Sequence, residues 1–147
     1  MFVLSASDPF SAFYAAAVRT QRQPTATAQW NILSMARATH RIERIAADQL
    51  TIHVEPSQMR SQFEGLFRAT EAAFFVGDRA SLGNAFVTVL AVDGGRPTSL
   101  ALTLRSGSFD DPDVCLLAWR ERRLVPVPLG LHETVEIRWS PGPTGLL

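Results

Sequence analysis

In three separate stretches of this chain apolar residues recur at every second position, and this pattern constrains the fold more than any other feature. The stretches are 50–55, 100–105 and 134–139. Successive side chains of a β-strand point to opposite faces of its sheet, so the pattern predicts strands with one buried and one solvent-facing side. The chain is therefore expected to be mainly β.

Turn-forming residues separate the apolar runs at short intervals. Residues 46–49 are the predicted turn of a hairpin over 40–56, and Asp93-Gly94-Gly95 supplies the positive φ angles of a tight hairpin. Further strands are predicted over 73–76, 80–82, 85–92, 98–105, 114–120, 123–127 and 133–139, and 30–38 favours a strand over a helix. Both faces of 85–92 are apolar, so that strand is predicted to be central and covered on both sides. Many short strands of this kind favour an antiparallel sandwich or a partly open barrel.

Two helices are predicted outside the sheets. Asp8-Pro9 is a helix start, and the apolar residues after it share one helical face, either docked on the core or serving as a juxtamembrane linker. The capping-box pattern of Ser61 and Glu64 predicts a short helix near 60–68. These patterns divide the chain into an N-terminal amphipathic helix over 1–23, a single β-rich domain over 24–139 and an irregular tail over 140–147.

The composition excludes several classes of protein. The 147 residues hold 14 basic and 14 acidic side chains, and a nucleic-acid binder usually carries an excess of basic residues. All the basic residues are Arg, which fits either a GC-rich genome or selection for anion recognition. The one cysteine, Cys115, cannot form an intrachain disulfide. No stretch of 18 uncharged apolar residues occurs, so no transmembrane segment is predicted in this chain.

No motif predicts a catalytic, metal or cofactor site. The histidines His40, His53 and His132 lack metal-ligand spacing, and Cys115 lies inside an apolar strand, where a buried, inert thiol is expected. The chain also lacks the glycine-rich loops that bind phosphate and the GxSxG motif of hydrolases. No catalytic residue, metal or cofactor is therefore assigned, and a non-catalytic role is favoured.

A few polar residues are candidates for contact with a ligand. Asp110, Asp111 and Asp113 place three carboxylates in four residues, although an Asp-Pro cluster also forms turns without a ligand. A second group of candidates, Arg120, Arg122 and Arg123, lies in a turn between two strands. This turn is either a solvated hairpin tip or a contact for an anion or a lipid headgroup. His53, on the solvent-facing side of its strand, is a further candidate.

A series of short motifs along the chain resembles a known family. The motifs are A-R-A-T-H at 36–40, D-x-L-x-I-x-V-E-P at 48–56, G-L-F-R at 65–68, F-x-V-G-D-R at 74–79, G-N-A-F-V-T-V at 83–89, D-G-G-R-P at 93–97, F-D-D-P-D at 109–113, W at 119, R-L-V-P at 123–126 and E-T-V-E-I at 133–137. Over about 32–137 the chain is similar to the C-terminal soluble β-rich region of uncharacterised multi-pass bacterial membrane proteins. The resemblance implies a membrane-associated domain on the extracytoplasmic side and carries over no catalytic residues.

The expected function is that of a non-catalytic soluble β-domain with a binding or bracing role, as part of or attached to a larger bacterial membrane protein. Its expected partner is another protein or the remainder of that membrane protein, not nucleic acid. The alternatives are a β-barrel that binds a small ligand or an oligosaccharide, and an enzyme that uses His and Asp residues in a pocket. A sugar site requires exposed aromatic residues, so the exposure of Trp119 and Trp139 bears on that alternative.

Overall fold

The part of the chain that the structure describes contains ten strands, which form two sheets. The structure is a computed structural model, and it describes residues 1–8, 29–58 and 72–142. The strands are β1 (Phe2–Ser5), β2 (Asn31–Ile32), β3 (Thr39–Ala46), β4 (Gln49–Glu55), β5 (Arg79–Ser81), β6 (Ala85–Asp93), β7 (Arg96–Leu104), β8 (Leu116–Arg120), β9 (Arg123–Pro126) and β10 (Thr134–Ile137). The prediction of a mainly β fold is confirmed for these residues.

The larger sheet has six antiparallel strands in the order β10-β3-β4-β7-β6-β5. Its register aligns Ile42, Ile52, Leu100 and Val89 across four neighbouring strands, and all four side chains are buried. The alternation in the sequence therefore produces one continuous apolar face. The predicted hairpin over 40–56 and the tight turn at 93–95 are both present, the latter with positive φ at its two glycines.

The smaller sheet has four strands in the order β2-β1-β8-β9. β1 runs parallel to both β2 and β8, whereas β8 and β9 form an antiparallel hairpin. The antiparallel prediction is therefore wrong for this sheet, which is mixed. Parallel strands need long connections between them, and no local turn pattern in the sequence marks such a pairing.

Both sheets contribute to one buried core. Phe2, Leu4 and Ala118 of the smaller sheet belong to the same buried cluster as Ile52 and Leu102 of the larger one. On the opposite face of the smaller sheet, Val3, Ala6 and Leu117 form a second cluster. Neither sheet of the described residues closes into a barrel.

Several strand predictions need correction. Residues 73–76 form no strand, because the chain turns at 75–78 before β5 begins. Only Asn31–Ile32 of the range 30–38 is strand, and β8 begins at Leu116 rather than at residue 114. β6 lies next to the edge strand β5, and Phe86, Val87 and Thr88 are only half-buried. The prediction that both of its faces are covered is wrong, since a two-sided apolar run does not require burial on both sides.

The predicted helices are not seen in the described residues. Within the N-terminal segment 1–23, Phe2–Ser5 form a fully buried strand, because a short apolar run does not by its periodicity distinguish a buried strand from a helix. The helix predicted to follow Asp8-Pro9, the short helix near 60–68 and residues 143–147 of the tail lie outside the described residues. Among the residues that are described, no helix has the length and apolarity needed to cross a membrane.

Candidate functional site

Arg44 is the most completely bonded side chain that the structure describes, and the sequence motifs did not single it out. Its guanidinium donates two short hydrogen bonds to Asp110, from Nη1 to Oδ1 at 2.7 Å and from Nη2 to Oδ2 at 2.6 Å. It also donates to the carbonyl oxygens of Ala46, Ala47 and Leu129 and to the Ser108 hydroxyl. Arg44 is 1% exposed, so this arrangement satisfies a buried cation.

These bonds join three loops at one end of the larger sheet. Ala46 ends β3 and Ala47 begins the β3–β4 turn, Asp110 belongs to the segment between β7 and β8, and Leu129 belongs to the segment before β10. The hydrogen bonds that Arg44 donates to Asp110 hold the pKa of Asp110 below its ordinary value, and the same bonds raise the pKa of Arg44. One signal for this site was available in the sequence. Arg44 lies two residues after Ile42 on β3, so the alternation of the strand places a cation on the buried face.

The three candidate aspartates lie in one loop but do different things. Asp110 pairs with Arg44 while its own side chain is 74% exposed. Asp111 accepts a hydrogen bond from the Ser108 amide at 2.8 Å and closes the turn 108–111. Asp113 is exposed. Among the described residues no three His, Cys, Asp or Glu side chains are placed to hold a metal ion.

His40 is fully buried and both of its ring nitrogens are engaged. Nδ1 lies 3.1 Å from the Ala38 carbonyl oxygen and Nε2 lies 2.7 Å from Ser34 Oγ. The carbonyl can only accept, so Nδ1 carries the proton and the serine hydroxyl donates to Nε2. Burial lowers the pKa of His40 to about 4. The pair resembles a nucleophile with its base, but both side chains are buried, so it supports the turn before β3.

The other two histidines lie elsewhere. His53 follows Ile52 on β4 and is exposed on the face opposite to His40, so these two side chains do not meet. His132 is exposed in the loop before β10, and its backbone amide donates to the Arg44 carbonyl oxygen at 2.8 Å. Cys115 is a half-buried free thiol just before β8. No contact among the described residues joins these groups into an acid–base pair.

The candidate arginines lie at the tip of the β8–β9 hairpin, where Arg122 and Arg123 are exposed and Arg120 is half-buried. Arg120 and Arg123 face each other in the last pair of the hairpin. Glu121 and Arg122 form the turn with φ of 48° and 66°, which is the left-handed geometry of a tight hairpin turn. Arg120 donates a long hydrogen bond to the Glu136 carbonyl oxygen at 3.4 Å.

Neither tryptophan of the proposed sugar-binding pair is exposed. Trp119 is 7% exposed and its Nε1 donates to the Pro141 carbonyl oxygen. Trp139 is half-buried, donates to the Ser7 carbonyl oxygen and lies under the Arg37 guanidinium at 5.3 Å. Both rings therefore hold the segment after β10 against the rest of the domain.

The turn 75–78 presents two apolar side chains to solvent. Phe75 is 67% exposed and Val76 is 64% exposed. The turn is closed by a bond from the Asp78 amide to the Phe75 carbonyl oxygen, and the Asp78 carboxylate accepts from the Phe75 amide. Gly77 has a φ of 93°, a geometry that other residues adopt only with strain. Its amide donates to the Val89 carbonyl oxygen, and next to Val89 lies Leu90, which is 43% exposed.

An apolar cavity of about 340 Å³ lies between the segment after β2 and the inner face of β5, β6 and β7. Nine of its twelve lining residues are apolar, Leu33, Val89 and Leu100 among them. Gln58 also lines it and is 6% exposed, with its backbone amide bonded to the Pro97 carbonyl oxygen. The volume and the lining fit a small and largely apolar molecule.

Comparison of the chain with family models, with curated proteins and with solved structures finds no match in any of the three.

Proposed function

We propose that this chain is a non-catalytic β-domain that binds or braces another polypeptide, as part of or attached to a larger bacterial membrane protein. The observation that carries the proposal is the turn 75–78, which holds Phe75 and Val76 in solvent. The attachment to a membrane protein follows from the resemblance of the sequence motifs over about 32–137.

The turn has the properties of a binding anchor. Phe75 and Val76 are both more than half exposed, so they contribute little to the core, and two neighbouring exposed apolar side chains are a feature of interaction sites. The backbone bonds of Asp78 and Gly77 fix the turn. A turn whose backbone is fixed before binding loses little backbone conformational entropy on association. Leu90 extends the apolar surface onto β6, and aromatic residues with apolar neighbours are enriched at the centres of protein interfaces.

A photo-crosslinking residue at position 76 tests this proposal in membranes of the bacterium that makes the protein. The expected result is an adduct at that position with an identified membrane-spanning polypeptide, either a separate protein or the remainder of the same one. The control is the same residue at position 122, on the exposed hairpin tip of the other sheet. Equal adducts at the two positions, or none at position 76, would refute the proposal.

The variant Phe75→Ser separates binding from folding. The side chain is mostly exposed, so the free energy of unfolding should change by less than about 0.5 kcal/mol. The adduct at position 76 should nevertheless be lost. A variant that unfolds the domain while it removes the adduct would place Phe75 in the fold rather than at an interface.

The cavity favours a second candidate function, binding of a small apolar ligand. A thermal-stability screen with small apolar compounds tests it, because a ligand that binds only the folded state raises Tm. A matched screen of Leu100→Trp, which fills the cavity, should show no such rise for the same compounds. Turnover of any compound in these assays would instead support the enzyme alternative and count against a non-catalytic domain.

A further inference from the structure

Two arginines on the outer face of the larger sheet share one aromatic ring. The guanidinium carbon of Arg79 lies 4.1 Å from the centre of the Phe86 ring, and that of Arg105 lies 5.9 Å from the same point. The two guanidinium carbons are therefore at most 10.0 Å apart, the sum of those distances. The strand register explains the arrangement, since Phe86 lies between Ser81 of β5 and Thr103 of β7.

Both guanidinium groups are held in place by neutral acceptors. Arg105 donates from Nε to the Gly83 carbonyl oxygen and from Nη2 to Ser81 Oγ, each at 2.9 Å. Arg79 donates from Nε to Thr88 Oγ1 at 3.4 Å. A guanidinium carries five N–H groups, so three of Arg105 and four of Arg79 are not used by these bonds to described residues.

No carboxylate of residues 1–8, 29–58 or 72–142 forms an ion pair with either arginine. The ion pairs among the described residues are Arg44 with Asp110 and Arg138 with Glu136. Within the described part of the chain, Arg79 and Arg105 thus place two positive charges close together without an ion-pair partner. Like charges at this distance repel one another, and a bound anion removes that repulsion.

We propose that Arg79 and Arg105, held on the Phe86 ring, form a binding site for a phosphate group. Phosphate offers oxygens on several sides and up to two negative charges, which matches two guanidinium forks better than a single carboxylate does. A phosphate contacted from both sides spans roughly 8 Å between the two guanidinium carbons, within the limit set by the ring. The site uses residues other than those of the protein-binding turn, although Arg79 directly follows it.

Titration of the full chain with inorganic phosphate, followed by the NMR signals of the arginine Nε–H groups, tests the site. Saturable shifts are expected at Arg79 and Arg105 together, and Arg79→Gln or Arg105→Gln should weaken binding about tenfold. Arg105→Lys keeps the charge but loses the fork, so it should bind more weakly than wild type and more tightly than Arg105→Gln. The matched control is Arg138→Gln, which removes an exposed arginine that already has a carboxylate partner.

A second arm distinguishes the source of the phosphate. Vesicles of phosphatidylcholine, with and without phosphatidylglycerol, present the group on a lipid, and Phe75→Ser reports whether the neighbouring turn enters the bilayer. Binding to the anionic vesicles that both arginines and Phe75 strengthen identifies a lipid headgroup, and binding of inorganic phosphate alone identifies a soluble ligand. Shifts of equal size at Arg138, or phosphate affinities that Arg79→Gln and Arg105→Gln leave unchanged, would overturn the site. The titration with inorganic phosphate uses no residue of the turn 75–78, so the phosphate site and the cross-link at position 76 can fail separately.

Discussion

Replacement of Arg44 by Met should destabilise the domain more than any surface substitution. The guanidinium is buried and makes six hydrogen bonds to three loops. Its removal leaves the buried carbonyl of Leu129 without this donor, whereas the carbonyl of Ala47 keeps the amide of Phe109. An unsatisfied buried carbonyl and the loss of the charge-assisted hydrogen bonds to Asp110 together predict a loss of about 3 kcal/mol in the free energy of unfolding.

Urea denaturation at neutral pH measures this loss. A change of about 3 kcal/mol moves the midpoint by roughly 1–3 M, given the usual dependence of stability on urea for a domain of this size. Asp110→Asn should cost less, because Arg44 keeps its four bonds to the other acceptors. In the Arg44→Met background, Asp110→Asn should cost almost nothing, since the exposed carboxylate then has no cation to bind.

The pH dependence of the Asp110→Asn effect provides a further check. The pKa of Asp110 is lower in the folded state than in the unfolded state, chiefly because Arg44 donates to the carboxylate. Its contribution to stability is therefore complete above the ordinary pKa of an aspartate and is lost as the pH falls through the lowered folded value.

If Arg44→Met unfolds at the same urea concentration as wild type, or if Asp110→Asn costs as much in the Arg44→Met background as alone, the assignment of Arg44 as the link between the loops is wrong.

Two further predictions concern stability. Burial lowers the pKa of His40 from 6.5 to about 4, so between these values the unfolded state binds a proton that the folded state does not. The free energy of unfolding of the wild type should therefore fall by about 3 kcal/mol as the pH falls from 6.5 to 4. That of His40→Gln should fall distinctly less, and parallel curves of stability against pH for the two proteins would contradict the assignment. Glu121 and Arg122 adopt positive φ without glycine, so Glu121→Asn with Arg122→Gly should stabilise by about 1 kcal/mol, a rise in Tm of about 3 °C; an unchanged or lower Tm would show that the turn is not strained.

The larger sheet could be predicted from the sequence because its signals are local. Alternation over 50–55 and 100–105 and the turn at 93–95 each specify a hairpin or a strand without reference to distant residues. Three of the five pairings in this sheet join consecutive strands, β3-β4, β5-β6 and β6-β7, whereas β4-β7 and β10-β3 join distant parts of the chain. Edge positions were less predictable, since an apolar run such as 85–92 reads the same in a central strand and in one near an edge.

The smaller sheet and the Arg44 cluster could not be predicted in this way, because both depend on distant parts of the chain. β1 pairs in parallel with β2 and β8, and Arg44 is 66 residues from Asp110 and 85 from Leu129. Asp110 was a candidate for contact with a ligand, and the structure gives it an internal partner. The exposure of Phe75 and Val76 was missed because of a local pattern and not because of distant contacts. These apolar residues fit a strand pattern, and only Gly77 and Asp78 after them indicated a turn.

The two edges of the larger sheet differ in how many of their side chains have partners within the domain, and this difference indicates where a partner binds. On β3, Arg44 and His40 are buried and have their hydrogen-bonding partners within the domain. Near β5, Phe75 and Val76 lie in solvent and Arg79 has no carboxylate partner among the described residues. Substitutions near β3 should therefore change stability at unchanged binding, and those near β5 should change binding at unchanged stability. We therefore assign the proposed contact surface to the β5 edge of the sheet. An apolar partner for Phe75 and Val76 and an anionic partner for Arg79 would come from outside the described residues.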